Sequence, residues 1–169
     1  MTQAELDAAG ASSGVELPEE LVVLLRLHDG AEATEADRFL RGLRLLSLRE
    51  IVSMHRATCS LLDAEDLVGT WWHPQWIPFA ANHDTWSRLY VDVRPGPHRG
   101  AVGHFFMESG GQQRWPSLTA YVEQLAASLE NATPLDHHTP RVDESGLLVW
   151  DWQAPPRRPE FAGRRGSGA

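Results

Sequence analysis

The chain has 169 residues, 42% hydrophobic and 22% charged, with one cysteine and a formal net charge of −8. That length supports one hydrophobic core without disulfides or a metal, and no apolar run approaches the roughly 20 residues a membrane span needs. The acidity repels phosphate backbones, which argues against nucleic acid and allows a cationic protein partner, although solubility alone also accounts for such a charge.

The start, Met1-Thr2-Gln3-Ala4-Glu5, lacks the basic and apolar segments of a secretory signal, and Cys59 has no partner for a disulfide. A cytoplasmic protein with no membrane association is therefore expected. The charge is uneven. Residues 1–70 hold 13 carboxylates against 6 arginines, a balance of −7, and every basic residue of the chain is arginine.

Residues 1–14 are rich in Ala, Gly and Ser and are expected to form a flexible arm or a short helix. From Pro18 the pattern sharpens: Leu21, Leu24, Leu25 and His28 recur at helical spacing, with Glu19 and Glu20 in the first turn and Gly30 as a stop. Ala31 to Asp37 reads as a solvated acidic loop, and Leu43 to Leu46 as a short strand. Ser47-Leu48-Arg49-Glu50 is a capping box with Leu46 and Ile51 as its staple, so a second helix starts at Leu48 and runs to about Thr58. Leu61 to Val68 either extends it or forms a short helix of its own.

Trp71-Trp72-His73-Pro74-Gln75-Trp76-Ile77-Pro78-Phe79 sets three of the seven tryptophans and two prolines into nine residues. Such a cluster marks a rigid corner against the core or a binding surface. Trp76 to Ala80 is expected to be a strand with Pro78 at an edge or bulge. Leu89 to Val93 and Ala101 to Met107 follow as further strands of an antiparallel meander. A helix from Ser117 to Glu130 presents Leu118, Tyr121, Val122, Leu125 and Leu129 on one face. Gly146 to Trp152 reads as a further edge strand, and 153–169 as a disordered tail with too few apolar residues to offset its ordering entropy.

Four of these pieces occur in an order that resembles the SUKH superfamily, the SMI/KNR-type domain of bacterial immunity proteins of polymorphic toxin systems and of yeast regulators of cell-wall glucan synthesis. They are Leu17 to Gly30, Leu45 to Ile51, the Trp-Pro corner, and the strand ending near Asp92 with its turn Arg94 to Gly100. The resemblance spans about residues 15–130. It implies a single α+β domain over 15–152, with an antiparallel-rich sheet and helices packed on one side. Trp72, Pro74, Trp76, Pro78, Asp92 and Gly96 are its structural positions. It also implies non-catalytic protein binding, as an immunity protein against a cognate, basic toxin or as a regulatory scaffold. Asn82 to Arg88 stands where relatives are glycine-rich, as expected where specificity is adjusted.

For partner binding the sequence offers Glu32, Glu35 and Asp37 from the acidic half, and Trp71, Asn82, His83, Asp84, Trp86 and Arg88 from the aromatic-polar region. Catalysis has weaker support. His83, Asp84 and Asp92 are the residues of a possible hydrolase, and they would have to converge. Cys59 has no recognisable base, and Gly110-Gly111 lacks the lysine and helix of a phosphate loop. His73, His83, His104 and the pair His137-His138 show no ligand spacing for zinc, so neither metal nor cofactor is expected. His137-His138 reads as a solvated loop.

Overall fold

The computed structural model describes residues 2–14, 16–31, 39–62, 68–69 and 71–154. Among them are four helices, a five-stranded antiparallel sheet and a separate two-stranded sheet. The helices are α1 (Gln3–Ser13), α2 (Glu19–Leu27), α3 (Leu48–Cys59) and α4 (Leu118–Asn131). The strands are β1 (Arg44–Leu45), β2 (Trp76–Ala81), β3 (Ser87–Asp92), β4 (Val102–Phe106), β5 (Gly110–Trp115), β6 (His138–Val142) and β7 (Leu148–Trp152).

Helix starts follow local chemistry. The Ser47 hydroxyl accepts from the Glu50 amide, and the Glu50 carboxylate accepts from the Ser47 amide at 2.8 Å, which completes the capping box of α3. Arg44 binds the same carboxylate at 2.6 Å and, as the largest influence, holds it down at about 2. Thr2 and Glu5 make a second box at the start of α1, so the first residues form a helix whose Leu6 and Ala9 are buried. Ser117 caps α4 by accepting from the Ala120 amide.

The sheet order is β1-β2-β3-β4-β5, a meander in which each strand pairs with its neighbours in the chain. Its register pairs Trp76 with Asp92, Tyr90 with Gly103, and Phe105 with Gly111. The register shifts between Pro78 and Ala80, so Pro78 lies at a bulge, where its missing N–H leaves no gap in the ladder. The core under the helices joins Leu21, Leu25, Ile51, Tyr121 and Leu125 to Ile77, Phe79, Leu89, Val91 and Val102 of the strands. Each fully buried aliphatic side chain there contributes roughly 1.5–3 kcal/mol of transfer free energy.

Several elements differ from the expectations. Gly110 to Trp115 is a strand although Gly-Gly-Gln-Gln-Arg shows no apolar alternation; backbone pairing with β4 defines it, and Trp115 anchors its end against Tyr121. Leu148 to Trp152 does not extend the main sheet but pairs with β6. His138 is therefore in a strand, half-buried beside Arg41, rather than in a solvated loop. On α4, Val122 faces outward and Ser128 inward, its hydroxyl donating to the Thr133 carbonyl. Gln153 is tied to that hairpin through the His137 carbonyl and the Thr139 hydroxyl. Residues 32–38, which hold most of the expected acidic loop, residues 63–67 of the segment Leu61 to Val68, and residues 155–169 lie outside the described residues.

Candidate protein-binding surface

The face of the sheet away from the main core carries Trp76, Arg88, Tyr90, Asp92 and Phe105, which strand alternation places on one side. Trp72, from the corner before β2, is fully buried over it. Its ring meets Trp76, Tyr90 and Phe105 edge-on at 5.7, 5.9 and 5.1 Å. Trp76 stacks on Tyr90 at 4.3 Å with 20° between the planes. Two bare backbone positions make this possible. A Cβ on Gly103 would stand 2.2 Å from the Tyr90 ring, and one on Gly111 would stand 2.5 Å from the Trp76 ring.

Two guanidiniums complete this face. Arg94 lies 5.4 Å from the Trp76 ring and grips Asp92 with both ends of its fork, at 3.0 and 2.6 Å. Asp92 in turn accepts from the Arg94 amide, which shapes the entry to the turn containing Gly96. Arg88 lies 5.8 Å from Trp72 and 5.2 Å from Phe105, and donates to the Thr58 hydroxyl of α3 and the Thr85 carbonyl. Burial lowers its pKa.

The corner is closed by backbone contacts. His55 of α3 reaches the Pro74 carbonyl at 2.7 Å, and burial lowers its pKa against the weaker pull of that bond. The His73 ring accepts from the Gln75 amide, and burial lowers its pKa too. Trp71 donates its indole N–H to the Met107 carbonyl at 2.7 Å. Cys59 lies 3.6 Å from His55, but burial pushes its thiol up, the opposite of what a nucleophile requires.

One end of the sheet carries the turns 82–86 and 107–109. In the first, Asn82 accepts from the Ser87 amide through its side chain and from the Thr85 amide through its carbonyl, with Thr85 left-handed at φ 59°. This rigid turn leaves His83 and Asp84 exposed and Trp86 56% exposed. The Trp86 carbonyl accepts from Met107, beside exposed Phe106 and Glu108. The sheet end thus exposes Trp86 together with the carboxylates of Asp84 and Glu108 and no exposed cation among the described residues of these two turns, while Phe106, opposite Ser87, packs on His104 at 4.1 Å.

The sequence-derived site divides under this geometry. Asn82, His83, Asp84 and Trp86 share the sheet end, with half-buried Trp71 joined to it through Met107. Arg88 does not belong to that surface: at 4% exposure it is a buried prop of the aromatic cluster, its charge engaged from the inside. Trp72, Pro74, Trp76, Pro78 and Asp92 build the corner, and Gly96 lies exposed in the 94–100 turn at φ 127°. Glu32, Glu35 and Asp37 lie outside the described residues. His83 and Asp84 precede β3 and Asp92 ends it, so the strand's length separates them and the hydrolase trio does not converge. Among the described residues no group of His, Cys, Asp or Glu is arranged to hold a metal, and no helix is long and apolar enough to cross a membrane.

Phe106, Met107 and Gly103 were not singled out from sequence, and Gly111 was weighed only as part of a phosphate loop. The alternation Val102, His104, Phe106 was the available signal, because it sets Gly103 and Phe105 on the opposite face. No curated protein matches the chain. The model of the SMI1/KNR4 family (SUKH-1) matches residues 1–124, from α1 into α4 and through the aromatic corner. The chain belongs to the SMI1/KNR4 (SUKH-1) family.

Proposed function

We propose that this protein is a non-catalytic binding domain of the cytoplasm, acting as an immunity protein that occludes a basic surface of a cognate toxin. The observation that carries the reading is Trp86. A large aromatic ring is presented to solvent on a turn fixed by the Asn82 bonds, at the same sheet end as the exposed carboxylates Asp84 and Glu108. A rigid aromatic anchor loses little entropy on binding, and surrounding negative charge steers a cationic partner toward it. Family membership supports the same class of function, since immunity and regulatory roles both occur there.

Capture from the native host, followed by co-expression of the captured protein in a naive strain, tests the reading. The expected result is a basic protein whose toxicity is relieved by the wild-type chain and restored by Trp86→Ala. Recovery of only non-toxic partners would replace immunity by a regulatory role. Association should slow with salt while dissociation changes less, because charges beyond roughly 8 Å are screened at physiological ionic strength.

A further inference from the structure

Helices α2 and α4 lie side by side on the helical layer, joined at one end by Glu20. Its carboxylate accepts from the Leu118 amide at 3.0 Å and from the Thr119 hydroxyl at 2.6 Å. Beyond this latch the helices leave an open groove of about 390 Å³, floored by Leu24 and Leu118 and walled by Val23, Leu27 and Val122. These walls are exposed to an unusual degree for aliphatic residues on neighbouring helices: 50% for Val23, 71% for Leu27 and 44% for Val122. Glu19 and Glu123 stand at the rim, and no basic residue lines the groove.

We propose that this groove is a second docking site, filled by a cationic amphipathic helix of a partner protein. It deepens the binding reading above and rests on it for the class of partner. The two helices are acidic. Glu19, Glu20, Glu123 and Glu130 on the two helices face only Arg26 as a basic residue in either, which attracts lysine and arginine and repels an anionic lipid surface. Groove walls made of helices have their amides and carbonyls already paired, so an extended segment would find no ladder there. A helix satisfies its own backbone and needs only to bury a stripe of side chains. The groove is separate from the Trp86 surface, because β5 runs from the 107–109 turn to the other end of the sheet before α4 begins.

The test uses a fluorescein-labelled amphipathic peptide of about four helical turns, with one leucine stripe flanked by lysine and arginine, and a partner peptide with glutamate at the charged positions. Anisotropy with the full chain should show salt-sensitive binding of the cationic peptide and at least about tenfold weaker binding of the acidic one. Amide shifts should concentrate on α2 and the first half of α4. Leu27→Lys and Val122→Lys, both at exposed positions, should each weaken the cationic peptide by about tenfold or more with unchanged melting. Equal binding of both peptides, shifts centred on the Trp86 end, or full binding by both lysine variants would overturn the proposal. So would α2 and α4 shifts on deleting 155–169 without peptide, because the groove would then hold the chain's own arginine-rich segment. Toxin relief is read separately. Relief with no peptide binding removes the groove alone, and groove binding without relief of any toxin removes the immunity reading alone.

Discussion

On the helix-covered side of the sheet, buried volume comes from many aliphatic side chains of four helices and the strands. On the other side it comes from four rings, Trp72, Trp76, Tyr90 and Phe105, with Arg88 and Arg94 laid against them. Aliphatic packing is adaptable, because volume-conserving swaps cost less than about 1.5 kcal/mol. The ring side depends on orientation: edge contacts around Trp72, a stack resting on two glycines, and guanidiniums that each touch a ring and a polar partner. A small domain in this way gains a stiff platform behind the surface that carries Trp86.

The largest effect should come from removing the centre of the rings. Trp72→Ala is expected to cost about 3–5 kcal/mol in urea unfolding, whereas Leu25→Met on the helical side should cost less than about 1.5. Similar losses at the two sites would erase the contrast.

Acid should act through the helical side. His104, buried above Ser87 and near Arg41, Arg114, Asp136 and His138, is held at about 4, first by burial and then by the neighbouring Arg41. Because its folded pKa is depressed, the folded state stays neutral while the unfolded state takes up a proton below about 6.5. Stability should therefore be full above pH 6.5 and fall by roughly 2–3 kcal/mol as pH drops toward 4. His104→Gln should flatten that slope in pH-dependent melts. A slope that persists would move acid sensitivity to His55 and the aromatic corner.

A smaller effect tests the bare backbone. Gly103→Ala places a methyl against a Tyr90 ring that Trp76 already pins from above, and should cost about 1–3 kcal/mol by overpacking. A Gly103→Ala, Tyr90→Leu double variant should recover part of that loss, because the ring edge is gone. Smallest of all, Trp86→Ala should leave stability within about 0.5 kcal/mol and still raise the off-rate from the partner. A loss of more than about 2 kcal/mol would make Trp86 part of the platform rather than its outer surface.

Much of the fold was legible where local chemistry decides it. Pro18 with Glu19 and Glu20 marked α2, Ser47 and Glu50 marked α3, and period-2 alternation marked β3 and β4. Elements held only by their partners were not legible. β5 owes its shape to β4, and β6 carries a proline and an arginine and shows no apolar alternation, so it becomes a strand only where Leu148 to Trp152 pairs with it. The candidate surface was half legible: the turn composition pointed to Asn82 to Trp86, but Arg88 looked equally exposed. What buries Arg88 is Thr58, 30 residues earlier, and two rings from separate segments, contacts that no local pattern encodes. The opening Thr2-Gln3-Ala4-Glu5 did carry the capping signal of α1, outweighed by the Gly and Ser around it.

The Glu20 latch sets an order of events during synthesis. The meander joins strands adjacent in the chain, so its hairpins can close as they emerge from the ribosome, while the Glu20 bond to Leu118 spans 98 residues. At about 5–20 residues per second, α2 waits on the order of 5–20 s for its mate. Throughout that interval Leu21, Leu24 and Leu25 lack the α4 side of their enclosure. The N-terminal helices are therefore where a nascent-chain chaperone has both the time and the apolar surface to bind, and pulse proteolysis of arrested chains should find α2 cleavable until α4 has emerged.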